Sequence, residues 1–154
     1  MNRMPCIIFL ILALASCRKG TYFHTYQPMS RCQWSIRDTL TFKIPPIPHD
    51  GNYEMLAGLR IQRQFPYNQV WIVAEQDFCS PMQRSKDTLC IQISDSTGSL
   101  LGIGLNIHQY EIALPAIHLQ KGQEGAVRLY HIMSKEILQH VHDVGLHVRQ
   151  KGQE

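Results

Sequence analysis

Beyond residue 16 the chain has no apolar run long enough to cross a bilayer as a helix, which takes roughly 20 residues. It also has no excess of one charge: 15 Lys+Arg stand against 12 Asp+Glu. That balance lacks the basic field on which nucleic-acid binding depends, so nucleic acid is excluded as a partner. No glycine is followed by Lys-Ser or Lys-Thr, which removes the phosphate-loop chemistry of nucleotide enzymes. The serines Ser80, Ser85, Ser94 and Ser96 lack the strand-turn-helix context of an activated nucleophile, and no local motif pairs two carboxylates for acid-base work. No long segment carries the 3.6-residue apolar period, no sequence repeats and no low-complexity tract divides the chain.

What is present begins at the N-terminus. Arg3 supplies a positive start, Cys6 to Leu14 is a short apolar run, and the small residues Ala15 and Ser16 lead into Cys17. This is the arrangement of a cleavable export signal. Leu14-Ala-Ser-Cys17 has the form of a bacterial lipobox, in which the cysteine thiol takes a diacylglycerol and becomes the first residue of the mature protein. Each buried acyl CH₂ contributes about 0.8 kcal/mol, so two or three chains hold a protein on a membrane essentially permanently. Residues 1–16 are therefore expected to be a lipoprotein signal peptide and Cys17 the lipidation site. Processing removes Arg3 and no acid, leaving 14 basic against 12 acidic side chains. Of the five cysteines, Cys6 leaves with the signal and Cys17 is acylated. Cys32, Cys79 and Cys90 allow at most one disulfide. Cys79 and Cys90 are a poor pair, because a hairpin turning near residues 82–83 sets residue 75 opposite Cys90.

Past Cys17 the dominant apolar period is two. Trp34, Ile36, Leu40, Phe42 and Ile44 form one face of a strand, with Asp38 inward, ended by Pro45-Pro-Ile-Pro48. Tyr53, Met55, Ala57, Leu59 and Ile61 form the next. Val70 to Ala74 is apolar on both faces, as in a strand covered on both sides. Residues 78–86 are expected to be a polar loop, followed by a strand at Leu89, Ile91 and Ile93 and a turn at Asp95-Ser-Thr-Gly98. Leu101, Ile103, Leu105 and Ile107 alternate as a further strand with Gly102 and Gly104 facing outward. Tyr110, Ile112 and Leu114 follow, then Val127–Ile132, a helical turn within Ser134–Val141, and a last strand at Val144, Leu146 and Val148. About eight short strands with Gly/Pro/Asn/Asp punctuation make an all-β antiparallel two-sheet sandwich, jelly-roll or immunoglobulin-like, the expected fold, with a closed barrel as the alternative. Residues 17–30 are expected to be the lipidated N-terminus and tether, with an edge strand at Thr21 to Gln27, and 31–154 the sandwich domain.

Eight histidines raise the question of a metal. His140-x-His142 places two imidazoles on one strand face, with Asp143 and His147 nearby, and zinc accepts such nitrogens. No third ligand stands at an organised spacing, so these are expected to be surface histidines, with no metal or cofactor. Trp34 and Trp71 are both expected in the core, where an indole buries a large apolar area. Tyr22, Phe23 and Tyr26 are the aromatics expected to be exposed beside the tether. No catalytic residue is expected and the chain is read as non-enzymatic.

Three stretches carry a resemblance. Phe65-Pro-Tyr-Asn-Gln-Val-Trp71, Asp87–Gly98 with Gly102-Ile-Gly104, and Asp143-Val-Gly-Leu-His-Val148, in this order after a lipobox, resemble the gliding-motility lipoprotein H family of Bacteroidetes. The resemblance implies a membrane-anchored component of the gliding machinery, which overlaps with the type IX secretion apparatus, working through contacts with other envelope proteins. The implied location is the cell envelope, at the outer membrane. The alternative in a different class is a glycan-binding lipoprotein of a polysaccharide-uptake system, which an exposed coplanar row of aromatics would favour.

Overall fold

Where side chains alternate between core and solvent, the chain is extended. The computed structural model, which describes residues 21–151, holds eleven strands: β1 (Thr21–Pro28), β2 (Gln33–Ser35), β3 (Leu40–Ile44), β4 (Gly51–Gln62), β5 (Gln69–Cys79), β6 (Gln83–Gln92), β7 (Ile107–Ala113), β8 (Ile117–Leu119), β9 (Glu124–His131), β10 (Ile137–Gln139) and β11 (Val141–Gln150). Eight of these have five or more residues. The helical structure among the described residues is one 3₁₀ turn at Ser30–Cys32.

All strand pairings are antiparallel. In the first sheet the order is β1-β11-β4-β7, with β8 against one end of β4; in the second it is β3-β9-β5-β6; β10 and β2 form a separate ribbon. The two sheets share one core. Tyr53, Met55, Ala57, Leu59 and Ile61 of β4 and Val144, Leu146 and Val148 of β11 meet Val70, Ile72, Ala74 and Phe78 of β5 and Val127 and Leu129 of β9. Each fully buried Leu, Ile or Val contributes roughly 1.5–3 kcal/mol, so this interlayer packing is the main source of stability. The all-β sandwich is therefore the fold.

Several local expectations need correction. The strand expected from Trp34 to Ile44 is two strands. Residues 36–39 turn the chain, Asp38 N donates to Ser35 O at 2.9 Å, and the Trp34 indole donates to Asp38 O at 3.2 Å. Asp38 and Ile36 are consequently exposed. The segment 78–86 is no loop: β5 and β6 form a long hairpin turning at residues 80–82. Cys90 then faces Trp71 rather than residue 75, and Cys32, Cys79 and Cys90 are free thiols. Trp71 is on the outer side of its sheet and 40% exposed, whereas Val73 on the same side is buried between Thr88 and Tyr130. Trp34, by contrast, is fully buried. The helical turn at 134–141 is instead β10 running into β11. Tyr22 and Phe23 lean on the core and, like Tyr26, are only half-buried.

Two internal details fix the first sheet and the core. Gly58 and Gly145 are directly paired across β4 and β11, with Tyr26 of β1 paired to Gly145. The Tyr26 ring lies flat over both glycines, and a β-carbon on either would come within 3.0 Å of it. The Arg60 guanidinium caps that ring at 3.7 Å from its centroid. In the core, His131 Nε2 is 3.2 Å from Trp34 O, and Met133 N donates to His131 Nδ1 at 3.4 Å. A neutral ring with its proton on Nε2 satisfies both partners. Burial lowers the His131 pKa below its usual value of 6.5.

Gly145→Val should destabilise the protein by about 1–3 kcal/mol, the usual cost of overpacking. In a Tyr26→Ala background the same change should cost far less, which a double-mutant cycle by urea unfolding measures. For His131 the folded-state pKa is the lower one, so its contribution is complete above the unfolded value near 6.5 and is lost as pH falls below it. Urea midpoints of the wild type should therefore drop between pH 7.5 and 5.5 (about one unit either side of the unfolded pKa). In His131→Gln that drop should be smaller.

Candidate functional site

The start of β1 distinguishes the two ends of the sandwich. Thr21 pairs with Arg149, while Pro28 pairs with Asp143 beside Arg60 of β4. Tyr22 Oη donates to Pro46 O at 2.7 Å, which places the chain following β3 at the Thr21 end. The β5–β6 turn is there too, since Gln123 Nε2 donates to Pro81 O and Ile47 N donates to Gln123 O. The far end carries Ile107 paired to Gln62, the β6–β7 connection, the β2–β10 ribbon and the 3₁₀ turn.

Exposed large apolar side chains are sorted between these ends. Among the described residues they are Ile36, Trp71, Met82, Leu101, Ile103, Leu105, Ile107, Ile132 and Ile137. Met82, in the β5–β6 turn, is at the Thr21 end. The other eight are at the far end, in two groups. Leu101, Ile103, Leu105 and Ile107 belong to the β6–β7 connection; Ile36, Ile137, Ile132 and Trp71 surround the ribbon. Ile132 N donates to Trp71 O and Ile36 N to Glu136 O, so the second group is tied together by backbone.

The expected strand at Leu101–Ile107 is thus replaced by an apolar projection, with Ile103 86% and Leu105 88% exposed. Its backbone is firmly held. Ile103 and Gln109 exchange two hydrogen bonds at 3.0 and 2.9 Å, and Gly104 turns the chain at φ +140. Gly102 accommodates the Tyr110 ring, whose hydroxyl donates to Ile93 O at 2.9 Å. The preceding turn, Asp95 to Ser99, is as expected. Asp95 Oδ1 accepts from Thr97 N at 2.8 Å, Thr97 Oγ1 at 2.6 Å and Ser99 N at 3.0 Å, and these bonds lower its pKa. Side chains presented from an ordered backbone lose less freedom on binding than those of a loose loop.

Behind the projection, Arg60, Ile103, Ile107, Gln109, His142 and Asp143 line a hollow. Asp143 is nearly buried, with His142 Nδ1 at 3.0 Å and Arg60 at 3.6 Å from Oδ2. Its other oxygen, Oδ1, is buried without a hydrogen-bond partner.

The histidines singled out by spacing are not brought together. His140 turns to Gln62 Oε1, at 3.0 Å from Nδ1, and His142 to Asp143. His147 instead stacks on His24 of β1, ring centroids 4.7 Å apart. These two and Glu111 of β7 place one potential ligand atom each within 4.8 Å of the others. Spacing along the sequence gives no sign of this group, because its members come from three strands far apart in the chain. Cys17 lies outside the described residues.

Comparison with known proteins gives one strong match. The model of the GldH lipoprotein family matches residues 21–148. The gliding motility lipoprotein GldH of Flavobacterium johnsoniae is 25% identical over 155 residues, covering 94% of each chain. Among solved structures, a family 35 carbohydrate binding module from Clostridium thermocellum is similar at TM-score 0.43 and 12% identity, over 85% of this chain and 90% of that one. Dimeric latent PorU from Porphyromonas gingivalis is similar at TM-score 0.36 and 10% identity, over 88% of this chain and 14% of that one. The resemblance drawn from Phe65–Trp71, Asp87–Gly104 and Asp143–Val148 thus agrees with a match that spans nearly every strand: the chain belongs to the GldH lipoprotein family.

Proposed function

We propose that this protein is held on the bacterial envelope by acyl chains on Cys17 and works by presenting its far end to other proteins of the gliding and secretion machinery. The observation that carries this is the sorting of exposed apolar side chains: eight of nine are at the end opposite the start of β1. β1 begins four residues after Cys17, so an anchored chain would keep the Thr21 end near the lipid. Apolar groups meant for lipid would crowd that end. Here they point away from it, as contacts with a protein partner require. The exposed Arg37–Glu136 pair gives the apolar area a polar rim. The reading is non-enzymatic, with binding reinforced by confinement to the membrane. A glycan platform is less well supported, because Trp71, at 40%, is the one Phe, Tyr or Trp side chain classed as exposed among the described residues, so no row of aromatics is presented.

The test is a strain in which the wild-type copy is replaced by Ile103→Asp/Leu105→Asp, with Met82→Asp as the control at the opposite end. Cross-linking and affinity purification from native membranes should recover envelope proteins with wild type and with Met82→Asp. The double variant should stay membrane-bound but lose those partners and cell spreading together. If the double variant keeps partners and spreading, the far end is not the working surface. A Cys17→Ala form behind an efficient secretory signal should be released from the membrane. Full function from that soluble form would remove the anchor from the mechanism.

A further inference from the structure

We propose that His24, His147 and Glu111 form a binding site for one divalent transition-metal ion, with Zn²⁺ the best match. His24 and His147 are directly opposite each other on β1 and β11, and both point to the outer face of the first sheet. Their rings are nearly parallel, inclined by 26°. Glu111 is on β7, in register with Gly58. Its carboxylate reaches the imidazoles because the two positions between them, Gly58 and Gly145, have no side chains. The flat Tyr26 ring floors this gap. Potential ligand atoms within 4.8 Å of one another need only small side-chain rotations, chiefly of the exposed His24 and Glu111, to reach the roughly 3.3 Å separation of neighbours around tetrahedral zinc.

The surroundings suit ligation. Gln109 Nε2 donates to Glu111 Oε1 at 3.2 Å and orients the carboxylate. His147 Nε2 is 3.1 Å from Thr21 Oγ1; an Nε2–H donated there leaves the Nδ1 lone pair for a cation, the usual way an outer partner sets an imidazole tautomer. The nearby cations are already matched: Arg149 pairs with Glu54, and Arg60 covers Tyr26 and pairs with Asp143, which also holds His142. Glu111 therefore faces the two imidazoles with no cation paired to it among the described residues. Imidazole with carboxylate suits zinc, whereas Mg²⁺ and Ca²⁺ prefer all-oxygen sites. Three protein ligands leave at least one position open to solvent. A bound ion would clip edge strand β1 to β11 and β7.

The experiment titrates Zn²⁺ into the purified full-length lipoprotein in detergent micelles by calorimetry. It compares wild type with His24→Ala/His147→Ala, Glu111→Gln and, as a control outside the cluster, His142→Ala. Wild type and His142→Ala should bind one ion with equal affinity, and saturating Zn²⁺ should raise their melting temperature. Glu111→Gln should weaken binding by more than about tenfold, the scale of losing even a supporting group. The double variant should lose both the binding and the thermal shift. Cobalt(II) should give a visible spectrum of nitrogen and oxygen ligation without thiolate charge transfer, separating this site from Cys32, Cys79 and Cys90. Undiminished affinity in the double variant, or a thiolate spectrum, would overturn the proposal. Should the double variant be unstable, Glu111→Gln decides: wild-type affinity there is equally fatal.

Discussion

Everything in the first sheet depends on the pairing of β4 with β11. The two strands run together from Tyr53–Gln150 to Ile61–Val141, and each supplies an unbroken inward row of apolar side chains. Within the sheet β1 pairs only with β11, and β7 and β8 pair only with β4. A shift of one residue in this pairing would turn the apolar row of one of the two strands outward. It would also separate Gly58 from Gly145 and remove the flat bed on which Tyr26 rests. The outer face of the sheet is therefore as firmly specified as the inner one, although it contributes little apolar burial.

The sequence made some of this legible and hid the rest for physical reasons. Tyr53–Ile61 and Val144–Val148 alternate in strands, as expected, because their apolar rows have another sheet to cover them. Leu101–Ile107 alternates equally well and is exposed. Period two records that one side of a segment is apolar; it does not supply a partner strand, and Gly104 with its positive φ turns the backbone away. β6 was invisible over residues 83–87 for the converse reason. That stretch is held by backbone ladders and by the cross-strand pairs Arg84–Asp77 and Lys86–Glu75 rather than by apolar contacts. The two-faced apolar run Val70–Ala74 implied cover on both sides and sent Trp71 inward, but its phase relative to Val70 and Ile72 puts it on the outer, partly open side of β5.

The surface features divide in the same way. The lipobox is local, four adjacent residues, so it can be recognised directly. His24 beside His147, and the apolar side chains gathered at one end, result from pairings between distant segments and appear only once register and strand order are known. The pairing of the nearly buried Asp143 with Arg60 and His142 is another such product, since it depends on the register of β4 against β11.

The direction of β1 has a mechanical consequence. Its first residue, Thr21, is at one end of the sandwich and its last, Pro28, at the other, and seven positions from Thr21 to Pro28 pair with β11. A pull on Thr21, opposed by a grip on the far end, acts along the strand axis. The β1–β11 hydrogen bonds then bear the load side by side in shear, instead of opening one after another as in a zipper. A sandwich tethered through an edge strand in this orientation resists tension with its whole ladder at once, which suits a part coupled at one end to a membrane and at the other to moving machinery.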